Sequence, residues 1–123
     1  MVRRDTRTLG NAVEQLACQY LQDRGLEPVE RNFCCRIGEI DLVMLDSDCL
    51  VFVEVRYRSA TSFSSAVLTV DRHKQIRLLR TAELFLAMRP RFAAHPTRFD
   101  VIGVDAGPDG RQAVEWISDA FRP

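Results

Sequence analysis

The sequence has little of several features that would assign it to a class at once. It has one lysine against sixteen arginines, only two histidines, and a formal net charge of zero. A neutral chain lacks the diffuse positive field that grips nucleic-acid phosphates, so any such binding must come from a local patch. No apolar run approaches the roughly 20 residues of a membrane span, and the N-terminal arginines are not followed by the apolar stretch of a secretory signal. These absences predict a cytoplasmic protein.

The cysteines lack the spacing of a metal site. Cys18, Cys34, Cys35 and Cys49 contain no C-x-x-C pair. The neighbours Cys34 and Cys35 would point to opposite faces of a strand, which is a poor start for a shared metal. We therefore expect four free thiols, as is usual in a reducing compartment.

The chain is long enough for one domain. Its 123 residues can bury an independent core and leave little room for a second. After a predicted flexible tail at residues 1–8, apolar residues recur at helical spacing over 9–21, with Thr8 as N-cap and Gly25 as stop. Glu14 lies at the flank of this apolar stripe, a position where a carboxylate is usually a solvated surface group.

The rest of the chain predicts strands around a second helix. A short strand over residues 29–36 precedes two apolar runs, 40–45 and 50–55, and together they predict an antiparallel meander. Asp71 is the predicted N-cap of a helix that stops at Pro90.

Two further strands are expected, over residues 98–104 and 113–117, with a turn at 106–110 between them. The order helix, three strands, helix, strand, strand predicts an α/β domain with a mixed central sheet flanked by helices.

Charges lie inside the two apolar runs, where buried strands should have none. A four-residue loop over residues 46–49 would pair Leu45 with Leu50. Because side chains alternate with period two, Asp41 then faces Glu54, and Glu39 faces Arg56 on the same side of the sheet. The opposite side is wholly apolar and belongs to the core: Ile40, Leu42 and Met44 against Val51, Val53 and Val55.

Facing carboxylates need a partner. They repel by about 0.2–1 kcal/mol even in exposed sheets, and more when desolvated, unless a proton or a cation lies between them. A divalent metal with oxygen ligands would answer this, and Mg²⁺ is typically held by one or two carboxylates. Alternatively, Arg56 and other arginines form a structural ion-pair network, or the loop differs by one residue and the faces separate. The hairpin alone leaves these alternatives open.

Five segments carry a resemblance to a known family: "GNAVEQLACQYL", "RNFCCRIGEIDLVM", "LVFVEVRYRS", "RHKQIRLLRTAELFL" and "RFDVIGV". Together they resemble the YraN family of small bacterial proteins, predicted to be endonuclease-like and similar to archaeal-type Holliday junction resolvases. The resemblance runs from about Gly10 to Val104, and its GEIDL and FVEV blocks are the specific part.

That family looks like a member of the PD-(D/E)XK nuclease superfamily, so the resemblance implies a restriction-endonuclease-like core. It implies a metal held by Glu14 on the first helix, Asp41 in GEID and Glu54 in VEVR. Arg56 stands where the superfamily motif has lysine. Glu39 is a weaker candidate, with Arg56 or Arg58 as its predicted partner.

The implied activity is phosphodiester hydrolysis of DNA, with branched DNA as the implied form and Mg²⁺ or Mn²⁺ as the implied cofactor. Arg56 can stabilise developing negative charge, but a guanidinium does not act as a base in proteins. The alternative is therefore a module with a nuclease-like fold that binds nucleic acid or protein without cutting, or cuts slowly.

Lys74 is the candidate for the missing lysine. It lies in the first turn of the predicted second helix, whose N-terminus can point amides and positive dipole at a phosphate. A compact ammonium is suited to reach the scissile phosphate there. The alternative is a lone surface lysine.

The positive residues near the motif predict a nucleic-acid face. For those on the helix, a merely solvated surface is the alternative. Substrate preference, partners and oligomeric state, including a homodimer, are left open. The face comprises Arg56, Arg58, Arg72, Lys74, Arg77 and Arg80.

Overall fold

The computed structural model describes residues 2–58, 70–106 and 112–123, with side chains from Gly10 onward. The predicted order of elements is confirmed, with one short 3₁₀ turn added at Pro90–Phe92. The predicted turn at 106–110 lies largely outside the described residues. The elements are α1 Val2–Asp23, β1 Glu27–Cys34, β2 Glu39–Asp46, β3 Cys49–Arg58, α2 Arg72–Met88, β4 Thr97–Ala106 and β5 Gln112–Phe121.

The strands form one five-stranded mixed sheet in the order β1-β2-β3-β4-β5. Strands β1, β2 and β3 are the predicted antiparallel meander. Strand β4 pairs parallel to β3, because the chain crosses over through α2 before it returns, and β5 closes the sheet antiparallel to β4. The α/β class with a mixed sheet is therefore confirmed, and the arrangement is consistent with a nuclease-like core.

The two helices cover opposite faces of the sheet. Leu21 of α1 packs against Leu42 and Val53 on one face. Phe85 of α2 packs against Val43 and Phe52 on the other. Because both faces of the central strands are covered, the strands read as near-continuous apolar runs. A charge placed in them therefore requires a specific partner.

Helix α1 is longer than the sequence pattern predicts. It begins at Val2, so the predicted start at residue 9 and the Thr8 N-cap are wrong. Residues 3–8 contain no apolar residue that could show a helical period, although arginine is a good helix former. The predicted stop is confirmed: Gly25 has φ 97°, Gly25 N–H donates to Gln22 O at 3.0 Å, and Leu26 N–H to Leu21 O at 3.1 Å. This pair of bonds is a Schellman C-terminus.

Helix α2 begins as predicted. The Asp71 carboxylate accepts the backbone N–H of Lys74 at 2.8 Å, so Asp71 is the N-cap. The helix ends at Met88, ahead of Pro90. Within the described part of the chain, neither helix is long and apolar enough to cross a membrane.

The β2–β3 hairpin has the predicted register and a shorter loop. Leu45 pairs with Leu50 and Val43 with Phe52, as predicted. Asp46 also pairs with Cys49, so the loop is two residues, with Ser47 at φ 54°, and the predicted four-residue loop is wrong. Two-residue loops favour positive φ because that twist matches the strands.

Candidate metal site on the β2–β3 hairpin

The alternation of β2 breaks at Asp41. Ile40 packs in the α2-side core with Val43, whereas Leu42 packs in the α1-side core. The predicted grouping of Ile40 with Leu42 is therefore wrong. The last paired residues of the hairpin are Leu42 and Val53, and just beyond them Asp41 Oδ2 accepts the Val55 N–H at 2.8 Å. The Asp41 side chain thus supplies the acceptor for the Val55 N–H and is held against β3.

Asp41 and Glu54 interact directly, as the predicted register requires. Glu54 is only 4% exposed. Burial is the largest cause that raises the pKa of Asp41 to about 9, and the charge of Glu54 and a hydrogen bond with Glu54 follow. The hydrogen bond from the Val55 N–H lowers this pKa but does not offset the other effects. At neutral pH the Asp41 carboxyl therefore keeps its proton unless a cation takes the proton's place.

Glu14 reaches the same region from α1. Its Oε1 is a buried oxygen with no hydrogen-bond partner among the described residues, and Arg31 Nη2 lies 3.7 Å away, too far for a hydrogen bond. Burial raises the pKa of Glu14, opposed by a hydrogen bond from Asn32 and by the charge of Arg31. Glu14, which the sequence places at the flank of the apolar stripe, therefore points toward the site and not into solvent.

Glu39 completes a group of three carboxylates. One oxygen each from Glu14, Glu39 and Asp41 lie within 4.8 Å of one another. Glu39 Oε2 also accepts a hydrogen bond from the Cys34 thiol, Sγ to Oε2 3.0 Å. This bond is the largest cause that raises the pKa of Cys34 to about 11. The predicted metal set was Glu14, Asp41 and Glu54, so Glu39 has a more central place than its sequence position suggested.

Two cations contact the buried Glu54. Lys74 Nζ lies 3.3 Å from Glu54 Oε2, and Arg56 Nη1 lies 3.5 Å from the same oxygen. Lys74 reaches it from the first turn of α2, where the Asp71 cap fixes the backbone. The site therefore brings carboxylates from the hairpin and α1 together with cations from α2 and β3.

The remaining predicted nucleic-acid residues divide into two groups. Arg58 is 9% exposed along its side chain and binds Asp105 at 2.7 Å and Glu115 at 3.3 Å, so it links β3, β4 and β5. Arg72 and Arg77 are exposed on α2. Arg77 lines a small cleft with Glu39 and Lys74, next to the carboxylates. Their contact with nucleic acid stays a prediction.

The donor set fits a hard divalent cation. Its ligand atoms are carboxylate oxygens, which Mg²⁺ and Mn²⁺ prefer. One of them, Glu14 Oε1, is buried and has no hydrogen-bond partner among the described residues. The four cysteines are free thiols, as expected, and Cys34 is the one that touches the carboxylate group.

Sequence reasoning missed Arg31 and Cys34 as neighbours of the site. Both lie on β1, whose pairing with β2 shifts register between Pro28 and Glu30, and Asn32 adopts φ 55°. Simple alternation cannot give the direction of side chains after such an irregularity. The one available signal was the short distance along the chain from Cys34 to the GEID motif.

A family assignment follows from comparison with known proteins. The profile of the uncharacterised protein family UPF0102 matches residues 13–104. The chain belongs to UPF0102. This is the YraN family, so the resemblance drawn from the motifs is confirmed.

Similar UPF0102 proteins occur in several bacteria. A UPF0102 protein of Stutzerimonas stutzeri is 48% identical over 117 residues, covering 95% of this chain and 97% of its own. One from Alcanivorax borkumensis is 48% identical over 120 residues, covering 96% and 94%. One from Pseudomonas savastanoi pv. phaseolicola is 44% identical over 121 residues, covering 98% of each. These relatives share the domain nearly end to end, and their names assign no activity.

Proposed function

We propose that this protein is a metal-dependent phosphodiester hydrolase that acts on DNA. The observation that carries the proposal is the buried Asp41–Glu54 pair, in which burial first, and then the charge of Glu54, raise the pKa of Asp41 to about 9. A structural ion pair would place one cation against each carboxylate. Among the described residues, Lys74 and Arg56 lie against Glu54, and the Val55 N–H donates to Asp41.

The roles of the residues follow from their positions. Glu14, Asp41 and Glu54 would hold Mg²⁺ or Mn²⁺, which when bound supplies Lewis-acid activation of the phosphate and of the attacking water. Lys74 and Arg56 lie beside these carboxylates and would stabilise negative charge that develops on the phosphate. Exposed Arg77 would contact an adjoining phosphate and position the strand.

The proposal is tested with purified protein and a labelled four-way DNA junction, with linear duplex of the same sequence as the comparison. We expect nicking in Mg²⁺ or Mn²⁺ that stops in EDTA. Asp41→Asn and Glu54→Gln should each lower the rate by at least about a hundredfold, because each removes a metal oxygen or its charge.

Glu27→Gln is the matched control, since Glu27 is exposed at the far end of β1. Its rate should equal that of the wild type. Binding of the junction without cleavage in any metal would contradict hydrolysis and favour a non-cleaving binding module. Arg56 at the position of the motif lysine would explain that result, because a guanidinium does not act as a base.

A further inference from the structure

Glu39 is the carboxylate of the site that the proposed roles leave unused. Its oxygen lies within 4.8 Å of oxygens of both Glu14 and Asp41, whereas Glu54 is not part of this group. It is also the member that solvent reaches most easily, because Glu39 is exposed and the other two are half-buried. Because Glu39 is exposed, its side chain is free to rotate toward a cation.

We propose that Glu39 is a ligand of the divalent cation, together with Glu14 and Asp41, and that the Cys34 thiol positions the Glu39 carboxylate for it. This inference rests on the proposed function and deepens it, because it changes the ligand set. The cation that fits is a hard one with oxygen preference, of the Mg²⁺ and Mn²⁺ class.

The charge distribution favours Glu39 over Glu54 as the third ligand. Glu54 Oε2 already has Lys74 and Arg56 within 3.5 Å. Glu14 Oε1 has no hydrogen-bond partner among the described residues, and the partner of Glu39 is an uncharged thiol. Glu14 has a more distant cation, Arg31 at 3.7 Å, and Glu39 has an uncharged partner, so a dication competes less with bound cations at Glu14 and Glu39 than at Glu54.

The spacing also fits. Metal–oxygen bonds of about 2.1 Å place two ligand oxygens at most about 4.2 Å apart. Oxygens that lie within 4.8 Å of one another need to close by less than about 1 Å, which a small rotation of the exposed Glu39 side chain provides.

The local backbone fixes Glu39 at this place. Cys34 and Glu39 are direct partners in the β1–β2 ladder, and the Cys35 N–H donates to Gly38 O at 2.9 Å to close the turn between them. The thiol and the carboxylate are thus neighbours by strand pairing and meet at 3.0 Å. Hydrogen bonds from such supporting groups orient metal ligands and typically change metal affinity 10–100-fold when removed.

The test measures Mn²⁺ affinity directly, by the loss of the free-ion electron paramagnetic resonance signal, and needs no activity. Glu39→Gln should weaken Mn²⁺ binding at least about tenfold, since a neutral amide replaces a charged ligand. Glu27→Gln, on the same sheet and remote from the site, should bind as the wild type does. Circular dichroism in EDTA checks the fold, and Glu39→Asp, with a retracted carboxylate, should also bind more weakly.

Cys34 is tested by rescue. Cys34→Ala should weaken Mn²⁺ binding about tenfold, and Cys34→Ser should restore it, because serine keeps a donor for Glu39. Equal binding by Cys34→Ala and wild type would overturn the positioning role.

The inference and the proposed function fail in different ways. Wild-type Mn²⁺ affinity in both Glu39 variants would overturn Glu39 as a ligand and leave hydrolysis at Asp41 and Glu54 standing. No Mn²⁺ binding by the wild type at millimolar concentration would overturn both.

Discussion

In the folded, metal-free protein, burial and the neighbouring Glu54 favour the protonated form of Asp41. Its pKa of about 9 exceeds the ordinary value of 3.8, with burial as the first cause and Glu54 as the second. At a pH between these two pKa values, the folded state binds more protons than the unfolded state. The free energy of unfolding contributed by this group therefore falls as the pH rises from about 4 to about 9.

Asp41→Asn should remove this pH-dependent loss, since asparagine does not titrate. In EDTA we expect the variant to melt no lower than the wild type at pH 5 and increasingly above it as the pH rises to 8. Mn²⁺ should raise the melting temperature of the wild type and leave that of the variant unchanged. Differential scanning fluorimetry at both pH values measures this.

A variant clearly less stable than wild type in EDTA would give Asp41 a structural role instead. Its bond to the Val55 N–H, at 2.8 Å, would then be what the fold requires.

At the scale of the element, α2 delivers the ammonium that the strand motif lacks. Lys74 was predicted to supply the missing lysine from the start of this helix, and its Nζ lies 3.3 Å from Glu54 Oε2. Asp71 caps the helix on the N–H of Lys74 itself, so the cap and the ion pair share one residue. The catalytic part of this role stays a proposal.

Two exchanges separate the roles of Lys74 and Arg56. If Lys74 supplies the cation, Lys74→Arg should lower metal-dependent nicking by at least about tenfold, because a planar guanidinium cannot replace a compact ammonium. Arg56→Lys should then leave the rate near that of wild type. The opposite pattern, a faster Arg56→Lys variant and an unaffected Lys74→Arg variant, would assign the task to the strand position.

The register of the hairpin could be predicted because its apolar pattern allows little choice. A slip of one residue would turn Val43 and Phe52 from the α2-side core to the opposite face of the sheet. The break at Asp41 could not be predicted, since it depends on a hydrogen bond to β3 and on the irregular pairing of β1. For that reason Asp41 and Glu54 were found from the sequence, and the central place of Glu39 was not.

At the scale of the whole molecule, a second buried carboxylate, Asp100 on β4, links β4 to β5. Asp100 is fully buried and accepts from Arg98 Nε at 3.0 Å, Trp116 Nε1 at 2.9 Å and the Asp119 N–H at 2.9 Å. Arg98 also binds Asp46 at 2.9 Å, at the β2–β3 turn. Unlike Asp41, this carboxylate has a complete set of donors and needs no metal.

Asp100→Ala should therefore destabilise the fold by about 3–5 kcal/mol, because it leaves the Arg98 charge and the Trp116 donor without their shared acceptor. Urea denaturation measures the loss. Glu27→Gln, exposed on β1, should change stability by less than about 0.5 kcal/mol. Mn²⁺ affinity should be unchanged where the variant is folded, and a reduced affinity would show that the two acidic sites are coupled.

The class of the whole fold followed from the order of its elements, while the packing of its charges did not. A strand, a helix and a strand in succession allow a crossover, and β3 and β4 pair parallel through one. Arg58 shows the limit of such reasoning. Its position beside the motif predicts a phosphate contact, yet its guanidinium binds Asp105 and Glu115 across the sheet. Those partners lie 47 and 57 residues away, beyond any local pattern.

The two-residue turn of the β2–β3 hairpin bears on the order in which the chain folds. Contacts between residues close in sequence form before those that need a long loop to close, and hairpins form within microseconds. Glu39, Asp41 and Glu54 all lie on this one hairpin. Their carboxylates therefore repel one another as soon as the hairpin forms, before the crossover through α2 places Lys74 beside Glu54. A divalent cation present during folding would thus act on the first contacts of the sheet as well as on the finished site.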